Sequence, residues 1–401
     1  SLKFVIFLFI AVLIHHVLPS KYRLGYLIVL SIGFVATFRI YLPLYVILYT
    51  YVNFYLGNRI NDNKGDKPFF YAGIIINLSQ LILLRYASFS IDPLISLFGS
   101  GLKVSAISEF IVPIGISYYT LQGIGYLINI NMGWEKAETN FLRLLLYITF
   151  FPKFLSGPIE RSNHFLIQIE SLKGFSVENI ISGFRIILMG LFKKIVIANQ
   201  LAPYIINTYK DIDRAPGDTL WLLLIMQPLY LYFDFSGYTD IAIGSSKLFG
   251  INLLPNFNRP FFSKNMTIFW KRFHISLSSW FNDYVFRQLS FRLRKLGVIA
   301  TLTALLITWT LFGIWHGAGW TFMFLGLLQA LAITYEFFTK KWRAILFSKV
   351  PEKAGLWIGR LSTYLFFSLA LTFFFAPDMR SVISFFKKLS ALSFSIPLDG
   401  I

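Results

Sequence analysis

The chain contains no cysteine, and only 5 of its 401 residues are histidine. Without cysteine it forms no disulfide and offers no thiolate to a metal ion or as a nucleophile. The patterns GxxxxGK(S/T), HExxH and GxSxG are also missing, which argues against a phosphate loop, a zinc protease site and a serine nucleophile elbow. We therefore expect no metal ion and no permanently bound cofactor.

Charge is scarce as well. Charged residues make up 14% of the chain, against about 25% in soluble domains, while hydrophobic residues make up 56%. Uncharged runs near the length of about 20 residues that crosses a bilayer occupy residues 4–20, 40–58, 68–84, 110–134, 195–209, 296–315 and 317–335. We predict an all-α, polytopic membrane protein with about ten to twelve membrane helices, several broken or re-entrant. The first run is expected to be a span and not a cleaved leader.

The few charges are mostly basic, with 37 Lys and Arg against 19 Asp and Glu and a formal net charge of +18. The basic residues form short clusters beside apolar runs, for example at residues 287–295 and 340–343. This pattern is typical of cytoplasmic loops, and it suits contact with anionic lipid headgroups or an anionic cytosolic donor. No basic soluble domain is visible, so we expect membrane lipids and no nucleic acid among the partners.

Proline and glycine interrupt the apolar sequence of residues 104–316. They include Pro113, Gly115, Pro152, Gly157, Pro158, Pro228 and Gly237. Broken helices at membrane depth line a cavity or are covered by protein. We predict one integral membrane domain over residues 1–401. In it, residues 1–100 are peripheral spans, residues 104–338 are a catalytic core with a central tunnel, and residues 356–401 are a C-terminal span and tail.

His316 stands at the join of two uncharged runs, between Gly313 and Gly317. One interpretation is an interfacial histidine at a turn between two spans. The other is a catalytic role, because an imidazole is costly to bury in apolar surroundings and needs a partner there. Position alone leaves both interpretations open.

A second histidine, His274, lies in the aromatic segment 264–284. Trp270, His274 and Ser278 are spaced to share one face of a single amphipathic helix. This helix is either interfacial, with Lys271 and Arg272 at lipid headgroups, or part of a functional site. We favour the headgroup role for the two basic residues, and both readings of His274 stay open.

Other polar residues are candidates for substrate binding. Asp234 follows an uncharged run, and we interpret it as a cap for a helix that starts near Ser236. Asn258 and Arg259 lie in a turn-forming stretch, where Arg259 is a candidate partner for Asp234 or for a phosphate. Trp315, beside His316, is expected to lie at the membrane interface.

Residues 150–161 combine two prolines with a glycine and predict a broken helix or loop near a cavity. We interpret Glu160 and Arg161 there as structural and not catalytic. The remaining histidines are interpreted as polar residues at an interface. They are His15, His16 and His164, the last of them in a loop.

Together these motifs resemble the membrane-bound O-acyltransferase family, most closely its bacterial polysaccharide (alginate-type) O-acetylation branch. The family's histidine in an apolar stretch is matched by residues 315–317, and its second polar site by residues 269–278. Further segments match in the same order, at residues 113–122, 150–161, 233–240 and 256–260. One stretch departs, because residues 285–292 look more like the D-alanyl transferase branch, which modifies teichoic acids.

The resemblance implies a multi-pass enzyme of the bacterial cytoplasmic (inner) membrane. It would move an acyl group, expected to be acetyl from acetyl-CoA, from a cytosolic thioester to a hydroxyl of an envelope polysaccharide or to an extracytoplasmic relay protein. The family's fold is a ring of helices around a thinned, tunnelled centre. His316 would be the general base and His274 would position a substrate or polarise the carbonyl. Trp270, Ser278, Asp234, Asn258, Arg259 and Trp315 are the candidates for substrate binding.

Two alternatives remain at this stage. One is D-alanyl transfer from an acidic carrier-protein thioester toward teichoic acid, for which the basic residues 287–295 would suit docking of the carrier. The other belongs to a different class, a transporter or flippase with broken helices and no covalent chemistry.

Overall fold

The computed structural model describes residues 2–62, 67–97, 115–170, 172 and 174–391. Within these ranges the chain consists of helices and loops, and its β-structure is confined to one isolated antiparallel bridge between Phe257 and Phe273. The prediction of an all-α protein is confirmed. Pro113 lies outside the described residues, so the predicted interruption there stays a prediction.

The described residues form two compact units. The first is drawn from the described residues of Ser1–Gly190 and Tyr238–Pro255, and the second from those of Leu191–Gly237 and Asn256–Ile401. The helices of the first unit are α1 (Leu2–Val17), α2 (Ser20–Ala36), α3 (Leu42–Asp62), α4 (Pro68–Leu84), α5 (Ala87–Ser90), α6 (Asp92–Leu97), α7 (Ile116–Asn131), α8 (Phe141–Thr149), α9 (Ser162–Glu170) and α10 (Val177–Leu191). The predicted division into peripheral spans, core and tail stays a prediction.

The second unit carries both short and long helices. They are α11 (Asn199–Lys210), α12 (Gly217–Leu248), α13 (Met266–Trp270), α14 (Ile275–Phe281), α15 (Arg287–Arg292), α16 (Val298–His316), α17 (Trp320–Phe338), α18 (Lys340–Ser348), α19 (Glu352–Phe375) and α20 (Met379–Ser390). The last part of α12, after Gly237, belongs to the first unit. Stretches of π-helix, Phe192–Ala198 and Asn282–Phe286, precede α11 and α15.

Three of the described helices are long and apolar enough to cross a membrane alone, and they are α16, α17 and α19. Helix α4 and residues 87–97 pass the same test together but bend by 84°, as expected of a broken span or a re-entrant loop. The chain is therefore an all-α polytopic membrane protein. The count of ten to twelve membrane helices and the ring around a tunnel stay predictions.

Buried polar side chains join three helices of the first unit. The Tyr49 hydroxyl of α3 donates to Oδ1 of Asn77 in α4 over 2.6 Å, and Nδ2 of Asn77 donates to Oδ1 of Asn53 over 2.9 Å. Helix α7 packs on this cluster at Gly123, where a Cβ would overlap the Tyr49 hydroxyl. Such satisfied networks fix a single packing arrangement in an apolar interior.

The predicted break over residues 150–161 is confirmed, because α8 ends at Thr149 and α9 begins at Ser162. Glu160 is buried in this segment and accepts a hydrogen bond from Nδ1 of His164 over 2.8 Å. The placement of His164 in a loop is wrong, since it lies in the first turn of α9, where Glu160 pairs with it.

The predicted helix start near Ser236 is also wrong. Asp234 and Ser236 both lie inside α12, which runs without a break from Gly217 to Leu248. Asp234 needs no role as a cap because its carboxylate forms an ion pair with Lys194 of the second unit. The carboxylate of Asp234 therefore pairs with the ammonium of Lys194 and not, as predicted, with the backbone N–H groups at the start of a helix.

Candidate functional site

The two histidines singled out by the sequence lie close together in the second unit. The ring centroids of His274 and His316 are 6.1 Å apart, with the ring planes inclined by 57°. His316 is the last residue of α16, and His274 stands between α13 and α14. Two separate segments of the chain therefore supply one pair of imidazoles.

His274 breaks the segment that the sequence predicted to be one helix. Its backbone is left-handed, with φ 48° and ψ 50°, so α13 ends at Trp270 and α14 begins after His274. The shared face of Trp270, His274 and Ser278 does not form, because it required helical geometry throughout. Instead the Ser278 N–H donates to the His274 carbonyl over 2.9 Å, and the Ser278 hydroxyl donates to the Phe273 carbonyl over 3.3 Å.

The neighbouring segment holds this left-handed residue from both sides. Phe257 forms the β-bridge with Phe273, just before His274. Just after it, the Ile275 N–H donates to the Asn256 carbonyl over 2.9 Å. The hydroxyl and N–H of Ser276 both donate to Oδ1 of Asn256, over 2.9 and 3.1 Å. Backbone conformations of this kind persist where the surroundings over-determine them.

The imidazole of His274 is 2% exposed, and within the described residues its Nε2 has no hydrogen-bond partner. It meets the ring of Phe235 edge to face, with centroids 4.6 Å apart. His274 lies outside the three spanning helices, and burial lowers its pKa well below the usual value, with a further lowering by His316. The ring is therefore neutral near pH 7 and keeps one unused nitrogen.

His316 sits among aromatic rings at the end of α16. The centroids of Trp315, Phe312 and Phe374 lie 5.0, 5.1 and 5.8 Å from its ring. The chain then turns at Gly317, where a Cβ would lie 2.6 Å or less from atoms of the Phe322 ring. The half-buried imidazole thus has apolar walls, which suits a reaction from which water is kept away.

The remaining candidates fall into different surroundings. Trp270 packs 5.0 Å from Phe312, and its Nε1 donates to Oε1 of Gln329 over 3.1 Å. The Trp315 ring lies 6.0 Å from His274. Asp234 is held in the ion pair with Lys194, next to Phe235 in the sequence.

Asn258 and Arg259 line a cavity that contains neither histidine in its wall. Its other lining residues are Phe262, Arg272 and Arg360. Arg360 was missed because α19 brings it to this cavity from a distant part of the sequence, for which no local signal exists. The assignment of Arg272 to lipid headgroups rested on amphipathic spacing, which the break at His274 removes.

Within the described residues, no group of three or more His, Cys, Asp and Glu side chains is arranged to hold a metal ion.

The comparison with known families defines the class. Residues 135–376, more than half of the chain and including both histidines, match the MBOAT, membrane-bound O-acyltransferase family. The chain belongs to this family.

Individual relatives come from several bacteria. A probable alginate O-acetylase, AlgI, of Azotobacter vinelandii is 32% identical over 80% of this chain and 65% of its own length. A peptidoglycan O-acetyltransferase of Helicobacter pylori is 30% identical over 92% of this chain and 74% of its own length. A teichoic acid D-alanyltransferase of Bacillus subtilis is 37% identical over 57% of this chain and 60% of its own length. The chain thus spans about two thirds of the alginate O-acetylase to which it is similar.

Proposed function

We propose that this protein is a membrane O-acyltransferase that moves an acyl group from a thioester to a hydroxyl group. The observation that carries the proposal is the pair of imidazoles, 6.1 Å apart, one of them neutral, buried and with an unused Nε2. Membership of the membrane-bound O-acyltransferase family supports it. We place the protein in a bacterial inner membrane, crossing it several times.

In this proposal His316 acts as the general base. Its imidazole takes the proton from the acceptor hydroxyl while that oxygen attacks the thioester carbonyl. When the tetrahedral intermediate collapses, the C–S bond breaks and the imidazolium returns the proton to the leaving thiolate, so that an ester and a free thiol result. His274 carries one N–H as a neutral ring, and it either stabilises the oxyanion or positions a substrate.

The acyl group is proposed to be acetyl, supplied by acetyl-CoA on the cytosolic side. Similarity to an alginate O-acetylase and to a peptidoglycan O-acetyltransferase supports this choice, and also an acceptor in the cell envelope, either a polysaccharide or a relay protein. D-alanyl transfer from a carrier-protein thioester is the second candidate. It is favoured by the 37% identity to a teichoic acid D-alanyltransferase and by residues 285–292.

The test uses purified protein in nanodiscs with labelled acetyl-CoA and a short oligosaccharide or polyol acceptor. Thioester consumption and ester formation are followed in the native protein, in His316→Ala and in His164→Ala, a control that removes a histidine of the first unit. We expect His316→Ala to lose activity by about 10²-fold or more, since general-base catalysis contributes that much. The control should keep activity.

A D-alanyl carrier thioester serves as the second donor in the same assay. Turnover with this donor alone would assign the protein to D-alanyl transfer. Equal turnover in the native protein and His316→Ala would refute the role of His316. A transporter without covalent chemistry would consume neither thioester.

A further inference from the structure

The cavity beside Arg259 has an unusual charge. It has a volume of about 340 Å³ and is lined by Asn258, Arg259, Phe262, Arg272 and Arg360. Three of these five side chains are guanidinium groups, and none is a carboxylate. The volume is at the small end of the range for small-molecule sites, and it accommodates an anionic group.

The three arginines come from separate elements that the fold joins. Arg259 has a left-handed backbone, with φ 46° and ψ 58°, and precedes the 3₁₀ turn Pro260–Phe262. Arg272 is attached to the same strand-like segment, because the Asn258 N–H donates to its carbonyl over 2.9 Å. Arg360 approaches on α19, whose Gly359 packs so closely that a Cβ there would lie 2.7 Å from the Lys264 carbonyl oxygen.

Within the described residues, no acidic side chain forms an ion pair with this cluster. Among the ion pairs of the described residues, none involves Arg259, Arg272 or Arg360. The guanidinium of Arg360 lies over the ring of Phe262, 5.3 Å from its centroid, and its buried Nε has no hydrogen-bond partner in the described part of the chain. Like charges repel, so three guanidinium groups at one cavity are stabilised by an anion that binds them together.

We propose that this cavity binds a phosphate group, and that the thioester donor carries it. The guanidinium fork matches phosphate oxygens with two parallel hydrogen bonds. Arg272 and Arg360 are half-buried, where charge interactions are stronger than in water, and Arg259 is exposed. In both coenzyme A and phosphopantetheine, a pantetheine arm links the thiol to phosphate, so one phosphate site serves either donor. Assigning the phosphate to the donor rests on the proposed acyl transfer. An anionic lipid headgroup is the other source of the same chemistry.

The test measures binding and not turnover. Radiolabelled coenzyme A is titrated onto protein in phosphatidylcholine nanodiscs, for the native protein, Arg272→Gln, Arg360→Gln and Arg259→Asn. Asparagine is chosen at residue 259 because it tolerates a left-handed backbone. Arg380→Gln, an exposed position in α20, removes the same charge elsewhere. In parallel, retention of phosphatidylglycerol is measured for all five proteins by mass spectrometry.

We expect each cavity variant to bind coenzyme A about tenfold more weakly or worse, as loss of a charge-assisted hydrogen bond implies, and inorganic pyrophosphate to compete for the native site. Arg380→Gln should bind like the native protein. Loss of phosphatidylglycerol retention with unchanged coenzyme A affinity would assign the phosphate to lipid and overturn the donor assignment. Unchanged binding of both ligands would overturn the site altogether.

Two further readouts keep the outcome clear. If Arg360→Gln does not fold, Arg360→Lys keeps the charge without the fork and should bind coenzyme A several-fold more weakly. Turnover measured on the same samples separates the two proposals. If the variants bind coenzyme A more weakly but the native protein transfers no acyl group, the phosphate site stands and the proposed reaction is refuted. If every variant binds coenzyme A like the native protein and turnover is normal, the proposed reaction stands and the phosphate site is refuted.

Discussion

Gly313 and Gly326 bring the backbones of α16 and α17 into direct contact. A Cβ on Gly313 would overlap the Phe322 carbonyl oxygen and lie 2.8 Å from the nitrogen of Gly326. A Cβ on Gly326 would overlap the Trp309 carbonyl oxygen. Small residues permit this close approach of membrane helices. The contact lies one turn before His316, so it fixes the end of the helix that presents the imidazole.

Gly313→Ala should therefore destabilise the protein. The added methyl group meets backbone atoms that cannot rotate away, so we expect a loss of about 1–3 kcal/mol and lower activity. Thermal unfolding in detergent, followed by tryptophan fluorescence, measures the change. Gly319→Ala is the matched control, since a Cβ there makes only ordinary contacts at 3.8 Å. Equal unfolding temperatures for the two variants would contradict the close helix contact.

Substitutions at His274 can distinguish the chemical role of its imidazole from the steric requirement of its left-handed backbone. His274→Asn introduces a side chain that tolerates the conformation, whereas His274→Ala keeps the steric cost of about 1 kcal/mol. We expect His274→Ala to lose about 10²-fold or more in kcat, as removal of an oxyanion donor does, and His274→Asn, whose amide still donates an N–H, to lose less and to be the more stable of the two. Steady-state kinetics and thermal unfolding test this order. Full activity in the Ala variant would show that the imidazole only fills space.

Stability should depend on pH through Glu135, in the loop between α7 and α8. Burial raises its pKa to about 7, although hydrogen bonds from Ser162, at 2.5 Å, and from Asn129 lower it. A carboxyl group with a raised pKa favours folding while it is protonated in the folded state. Its contribution is full below the ordinary pKa near 4.5 and is lost as the pH rises through about 7.

Glu135→Gln removes this titration and keeps an oxygen acceptor for Ser162. The native protein should therefore lose thermal stability between pH 5 and pH 8 to a larger extent than the variant, and the two curves should converge at the acidic end. Unfolding scans at constant ionic strength provide the comparison. Parallel curves over the whole range would exclude Glu135 as their cause.

Lys153 is fully buried in the break between α8 and α9. Its ammonium donates to Oε1 of Gln122 and, over 2.5 Å, to the carbonyl of Tyr147, and burial lowers its pKa to about 7. Lys153→Met should cost about 1–3 kcal/mol for each acceptor left unpaired. Adding Gln122→Leu removes one of those acceptors and should restore part of the loss. A double variant less stable than Lys153→Met alone would contradict this coupling.

The sequence predicted the fold class, and it singled out the two histidines whose rings lie 6.1 Å apart, for simple physical reasons. Uncharged runs of bilayer length have few alternatives to membrane helices, and the join predicted at His316 coincides with the end of α16. A titratable group in apolar surroundings is costly unless it has a partner or a function, and this cost drew attention to both imidazoles.

Other features depend on contacts between distant residues, which spacing does not encode. Spacing within residues 264–284 predicts a continuous helix, and the break at His274 is held by Asn256 and Phe257, which lie outside this segment. Asp234 looked like a cap because Lys194, its cation, lies 40 residues away. The position of Arg360 likewise depends on the packing of α19 at Gly359.

Arg259 and His274 are the two non-glycine residues with positive φ in the described part of the chain. Glycine would adopt this backbone without steric cost, and asparagine at little cost. In a library that randomises both positions, a screen for folded protein alone should return glycine and asparagine. A screen for acyl transfer should return arginine and histidine. Comparing the residues returned by the two screens would show at which of the two positions the protein gives up stability in order to keep a functional side chain.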